Sequence, residues 1–158
     1  MQSFLPFADF TASAEALDPR RLGKQRVEAL QILRGLTIAG YGWRHHPAVK
    51  MWAGYEEALV RYGLEICSSW TALGRLDTCE STLVRELADK CGVRSVRDQE
   101  QLAATGDLPP WLGNEELHRS HRSALLRKDP AYYAPLFDEP PDLPYVWPAS
   151  DRKPCKPN

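Results

Sequence analysis

The stretch Leu17-Asp18-Pro19-Arg20-Arg21-Leu22-Gly23-Lys24-Gln25-Arg26-Val27-Glu28-Ala29-Leu30-Gln31-Ile32-Leu33 decides the fold class. Asp18 offers a short carboxylate to the free N–H groups of a helix start. Pro19 fits the first helical position, where its missing N–H costs nothing. Leu22, Ala29, Leu33 and Leu36 recur at helical spacing, with Leu30 beside them, so a long helix with one buried stripe is predicted. Gly40-Tyr41-Gly42 breaks it.

Working outward, His46-Pro47 opens a second helix by the same cap-then-proline logic. Its stripe runs through Met51, Tyr55, Leu59, Tyr62 and Ile66 and ends near Leu73-Gly74. Asp77 or Thr78 caps a third helix with Leu83, Leu87 and Cys91 inward and Gly92 as its stop. Ser95, three positions before Asp98, resembles a capping box and suggests a short fourth helix. Gly106 to Gly113 reads as a loop. Asn114 caps a fifth helix to about Lys128, and Asp129-Pro130 starts a short sixth through Tyr132, Tyr133 and Leu136. No repeat, heptad or alternating strand pattern is present. The expectation is an all-α protein of five to six helices in one compact domain, residues 1–137. A proline-rich extended tail, residues 138–158, is expected to pack on that body.

A chain of 158 residues is long enough to bury a core without metals or disulfides. No segment is apolar for long enough to span a bilayer. The start, Met1-Gln2-Ser3-Phe4-Leu5-Pro6, lacks the basic and apolar regions of a signal peptide. A cytoplasmic protein, close to the nucleoid, is therefore expected. Of the four cysteines, none stands in a C-x-x-C pair, and Cys67, Cys79 and Cys91 lie among apolar helical residues. These three are read as small hydrophobes rather than as disulfide partners.

The net charge of −1 gives no hint of a polyanionic partner, but its distribution does. Residues 19–50 carry seven bases against the single acid Glu28, while residues 56–116 carry six bases against twelve acids. One basic face is enough to approach a polyanion. A solvated mixed surface explains the same charges equally well.

Three clusters carry candidate chemistry. On the first helix, Arg21, Lys24 and Glu28 share the face opposite the leucine stripe, flanked by Gln25 and Gln31. The bland reading is a Lys24–Glu28 surface pair. The second cluster is Trp43-Arg44-His45-His46-Pro47, where a guanidinium suits phosphates and ring faces suit bases. Trp52 and Tyr55, a little further on, are read as core. The third is His118-Arg119-Ser120-His121-Arg122 with Arg127 and Lys128, read as a phosphate-binding helix. A metal held by His118 and His121 together with His45-His46 is the alternative, although no H-E-x-x-H motif accompanies them.

The Leu17–Leu33 stretch resembles the first-helix signature of the pyrimidine-dimer DNA glycosylase family. His46-Pro47 leading to Trp52 and Tyr55 also resembles its bacterial members, as does His118-x-x-His121-Arg122 leading to Asp129-Pro130-x-Tyr132-Tyr133. The resemblance covers residues 1–137 loosely and is sharp in these three stretches. It implies a compact all-α enzyme that needs no cofactor or metal and grips double-stranded DNA at a lesion, as a monomer. Such an enzyme cleaves an N-glycosidic bond and then nicks the abasic site.

The resemblance assigns the essential carboxylate to Glu28 and the nucleophile to the chain's own α-amine. An α-amine ordinarily has a pKa of about 8, so part of it is uncharged at neutral pH. It can attack C1′ to form a covalent intermediate, while a carboxylate beside C1′ stabilises positive charge and moves protons. The family's type member exposes a small residue once its initiator methionine is removed, whereas Gln2 is large. Met1 is therefore expected to be retained as the nucleophile, one residue further out, with Lys24 as a substitute. Contacts with DNA are expected from Arg20, Arg21, Gln25, Arg26, Trp43, Arg44, His45, His46, His118, His121, Arg122 and Arg127. Two other readings remain: a non-catalytic DNA- or nucleotide-binding module on this scaffold, and a histidine-based metal-dependent hydrolase. The lesion excised is left open.

Overall fold

A computed structural model describes residues 1–155. Among these residues there are eight helices and no strand. The second helix, α2 (Pro19–Thr37), begins as its sequence requires: the Asp18 side chain accepts from the Arg21 N–H and Pro19 stands in the first turn. It packs chiefly against α4 (Glu56–Ala72), and both rest on α5 (Cys79–Cys91). Leu22, Ala29, Ile32 and Leu33 of α2 are buried against Leu59, Tyr62 and Ile66 of α4. Trp52 and Tyr55 also lie in this core. None of the described helices is long and apolar enough to cross a membrane.

Two helices differ from the sequence reading. The short α1 (Phe10–Ala16) forms because the Asp9 carboxylate accepts from the Ala12 N–H. The expected second helix is two, α3 (Pro47–Lys50) and α4, because Gly54 interrupts it at φ +78°. That left-handed backbone suits glycine, and a Cβ there would stand 2.2 Å from the Cβ of Arg152 in the tail. Further on, Asp77 rather than Thr78 satisfies the start of α5, accepting from the N–H groups of Cys79 and Glu80. The capping box of α6 (Gln99–Ala104) is formed by Asp98 and Gln101, not by Ser95 and Asp98. Helices α7 (Glu115–Lys128) and α8 (Pro130–Tyr133) follow their caps Asn114 and Asp129.

The chain after α8 runs without helix across two sides of the body. Ser123 Oγ donates to the Pro140 carbonyl and accepts from the Leu143 N–H, while Ser120 Oγ accepts from the Val146 N–H. Arg127 donates to the carbonyls of Pro141 and Leu143. Further on, Ser150 Oγ donates to the Ala53 carbonyl, and Tyr55 donates to Asp151. Cys155 forms a disulfide with Cys91. This corrects the reading of Cys91 as a plain hydrophobe: the tail returns Cys155 to the end of α5 across 64 positions of sequence. Cys67 and Cys79 are free thiols, and burial pushes the Cys67 thiol up.

Candidate active site

Residues 2–5 form an extended segment whose backbone is satisfied by side chains. The Gln2 N–H donates to Glu28 Oε2 at 3.2 Å, and the Gln2 carbonyl accepts from Gln25 Nε2 at 3.0 Å. The Phe4 N–H donates to Gln25 Oε1 at 2.9 Å, and the Tyr62 hydroxyl stands 2.8 Å from the Phe4 carbonyl and 2.7 Å from Gln25 Oε1. The Leu5 N–H donates to His121 Nδ1 at 2.9 Å, while His118 Nδ1 donates to the Leu5 carbonyl at 2.8 Å. A buried backbone has to find partners somewhere. Here it finds them on α2, α4 and α7.

That arrangement brings the chain start onto the polar face of α2. The result is a cleft of about 310 Å³ lined by Met1, Gln2, Arg20, Lys24, Glu28 and Lys128 among others. Glu28 lies in its floor and is only 6% exposed. Its Oε2 accepts from Gln25 Nε2 at 2.7 Å as well as from Gln2, and its Oε1 lies 3.5 Å from Lys24 Nζ. The carboxylate is thus fixed by neutral donors and one solvated ammonium, without a buried cation to neutralise it. Arg21 holds the corner between α2 and α8, with Asp18, Asp129 and the Lys128 carbonyl as partners. Burial, and after it the charges of Arg21 and Lys24, lower the pKa of Lys128 from its ordinary value.

The second cluster does not line this cleft, although His46 lies within reach of the charges of the chain start and Glu28. Trp43 is exposed, Arg44 donates to His45 Nε2, and both Arg44 and His45 face solvent. His46 caps α3, its Nδ1 accepting from the Ala48 N–H. Burial lowers the His46 pKa, the positive chain start lowers it further, and Glu28 opposes both.

The remaining candidates are engaged by the protein itself. Gln25 uses both amide atoms inside the protein, so it acts as a clamp for the chain start. Arg26 turns away from the cleft, paired with Asp77 and stacked 4.3 Å from the Trp70 ring. His118 and His121 are buried, and three of their four ring nitrogens are held by the backbone of Leu5 and Gly113. That arrangement corrects both the phosphate-binding and the metal-ligand readings of this pair. Arg122 is paired with Glu115 and Glu139 and donates to the Pro6 carbonyl. Arg127 is committed to the tail. Of the expected phosphate-binding face of α7, His118, His121, Arg122 and Arg127 are therefore held within the protein, while Arg119 is exposed and Lys128 lines the cleft.

Tyr145 lines the cleft and was not visible as a site residue in the sequence. It lies in the proline-rich tail, where no periodicity says which side chains turn inward. Its ring meets the His121 edge at 5.9 Å and lies under the Arg127 guanidinium at 5.8 Å.

Among proteins of known kind, no curated protein and no solved structure matches the chain. The family model for pyrimidine dimer DNA glycosylase matches residues 1–83, which span the chain start, α2 and most of α4's packing partners. The match includes Met1, Lys24 and Glu28 of the cleft and the Trp43–His46 segment. The chain belongs to the pyrimidine dimer DNA glycosylase family.

Proposed function

We propose that this cleft excises a damaged pyrimidine from double-stranded DNA and opens the resulting abasic site, residues 1–137 carrying the chemistry and the tail closing the rim. The observation that carries this reading is a buried carboxylate, Glu28, in the floor of a basic cleft beside the chain start. The α-amine of Met1 attacks C1′, and the bond from C1′ to the base breaks with its electron pair leaving on the base. Glu28 stabilises the positive charge that develops on the sugar. It then takes the proton that the amine loses and returns one to O4′ as the ring opens to an iminium. Glu28, a carboxylate again, takes a C2′ proton as the 3′ phosphate leaves, and water hydrolyses the iminium to release the protein. Arg20, Lys24 and Lys128 offset phosphate charge while the duplex is kinked to admit the nucleotide.

A second reading is favoured by one distance. The nitrogen 3.2 Å from Glu28 belongs to Gln2 and, while Met1 is attached, is an amide without nucleophilic character. A protein that retains Met1 thus keeps its amine one residue beyond the carboxylate, and this favours binding without efficient cleavage. One experiment separates the two. Full-length protein is incubated with duplex DNA containing an abasic site, treated with borohydride, digested and analysed by mass. An adduct on the first residue, whether Met1 or a mature Gln2, supports the lyase. An adduct on Lys24 moves the nucleophile to the helix. Salt-sensitive binding with no adduct and no excision of a cyclobutane dimer leaves the binding module.

A further inference from the structure

The cleft continues into a run of rings that the excision chemistry does not use. Tyr145 lines the cleft. Its ring centroid is 5.3 Å from that of Trp147, Trp147 is 5.8 Å from His46, and His46 is 5.8 Å from Trp43. His46 caps α3 and so has a fixed ring position. The two indoles stand edge-to-face against it, at 87° for Trp147 and 74° for Trp43. Both remain open to solvent, Trp43 at 48% and Trp147 at 37%.

Trp147 stands on a braced piece of tail. The Val146 N–H is held by Ser120 Oγ on one side, and Ser150 is held by the Ala53 carbonyl on the other. Tyr145, Trp147, His46 and Trp43 form one contiguous run of rings, and a contiguous exposed apolar patch marks an interaction site where scattered side chains do not. A packing role alone would bury the two indoles, as it buries Trp52 and Trp111. Arg44 and His45, adjoining Trp43 in the chain, face the same solvent and bring donors for phosphate.

The geometry points to Trp147, with Trp43 and Tyr145, as a stacking platform that receives an unpaired nucleobase of the DNA strand entering the cleft. This inference rests on the proposed DNA-lesion reading and adds to it the residues that hold the displaced base. Every base has a π-face, so a ring platform accepts a base once it has left the duplex stack and does so with little regard to sequence. A fully paired duplex presents no such face. The platform therefore favours DNA that a lesion has already loosened. It also gives the tail a part in substrate choice.

The test uses the full chain and DNA carrying 2-aminopurine, whose emission is quenched on stacking. Two substrates are compared: a single strand, and a duplex with one cyclobutane thymine dimer and 2-aminopurine beside it. Wild-type protein is expected to quench both. Trp147→Phe keeps a flat ring and is expected to retain the quenching. Trp147→Leu fills the site without a π-face and is expected to weaken binding to the single strand about tenfold, the size of one base–aromatic stack. Melting curves of both variants show that the tail remains anchored. Equal quenching and affinity for wild type and Trp147→Leu overturns the platform. Quenching of the single strand by wild type, lost in Trp147→Leu while no dimer is excised by any form, sustains the platform and removes the enzyme reading instead.

Discussion

Helices α2 and α7 carry the same kinds of residue and have opposite fates. Both bring arginines, a lysine and hydrogen-bonding polar side chains to one face. On α2 that face meets the chain start and leaves Arg20, Lys24 and Glu28 around an open cleft. On α7 the histidines turn inward to hold Leu5, Arg122 and Arg127 are consumed by Glu115, Glu139 and the carbonyls of the tail, and Lys128 at the helix end reaches the cleft. The difference lies in what distant sequence supplies. A basic side chain is available to a ligand only where no remote acid or carbonyl reaches it first.

The sharpest way to break this comparison is Glu28→Gln. The amide keeps the acceptor for the Gln2 N–H but loses the charge, and excision is expected to fall by about three orders of magnitude. Product formation on dimer-containing duplex, alongside a melting curve, checks it; a variant with full activity removes Glu28 from the chemistry. The matching change on α7 is His121→Ala. It leaves the Leu5 N–H unpaired in the core and opens a void, so stability is expected to drop by about 3 kcal/mol, read by urea unfolding. A loss of activity with no loss of stability would place His121 at the site after all.

His121 also gives the comparison a pH dependence. Burial pushes its pKa down to about 3, the nearby His118 adding to the effect, against about 6.5 in an unfolded chain. The folded state therefore binds fewer protons, and its stability is full above pH 6.5 and is lost as pH falls toward 3. His121→Gln titrates nothing there, so the stability gap between it and wild type is expected to be flat above pH 6.5 and to narrow below. A gap independent of pH would mean that folding does not lower the His121 pKa.

The smallest expected effect concerns salt. Lys24→Ala removes a solvated charge from the cleft and is expected to lower the slope of log Kd against log salt by about one. Arg122→Ala is expected to cost stability and leave that slope unchanged. Equal slopes for both would restore Arg122 to the DNA face.

The caps and prolines made much of this fold legible. Asp18-Pro19, His46-Pro47, Asn114 and Asp129-Pro130 each start a helix where their chemistry requires one. The short α1 was not legible, since Thr11, Ala12 and Ala14 give it little apolar stripe and its evidence is one cap at Asp9. The break at Gly54 depends on Arg152 lying against it, a contact that crosses nearly a hundred positions. The same applies to the Cys91–Cys155 link, because cysteine spacing does not specify pairing. In the candidate site, the helical face of α2 brought Lys24 and Glu28 to notice and the resemblance alone brought Met1, and all three line the cleft. Gln25 was misjudged because its surface position on a lone helix is covered by residues 2–5. Tyr145 and Trp147 follow no period and gain their place only from the tail's hydrogen bonds to Ser120 and Ser123.

The hold on residues 2–5 has a consequence for handling the protein. With Gln2 fixed to Glu28 and Met1 at the cleft wall, a purification tag fused ahead of Met1 would start at the cleft itself. If the proposed chemistry holds, such a fusion would crowd its own workplace, and trimming it back with a protease would restore activity to a preparation inert in the tagged form.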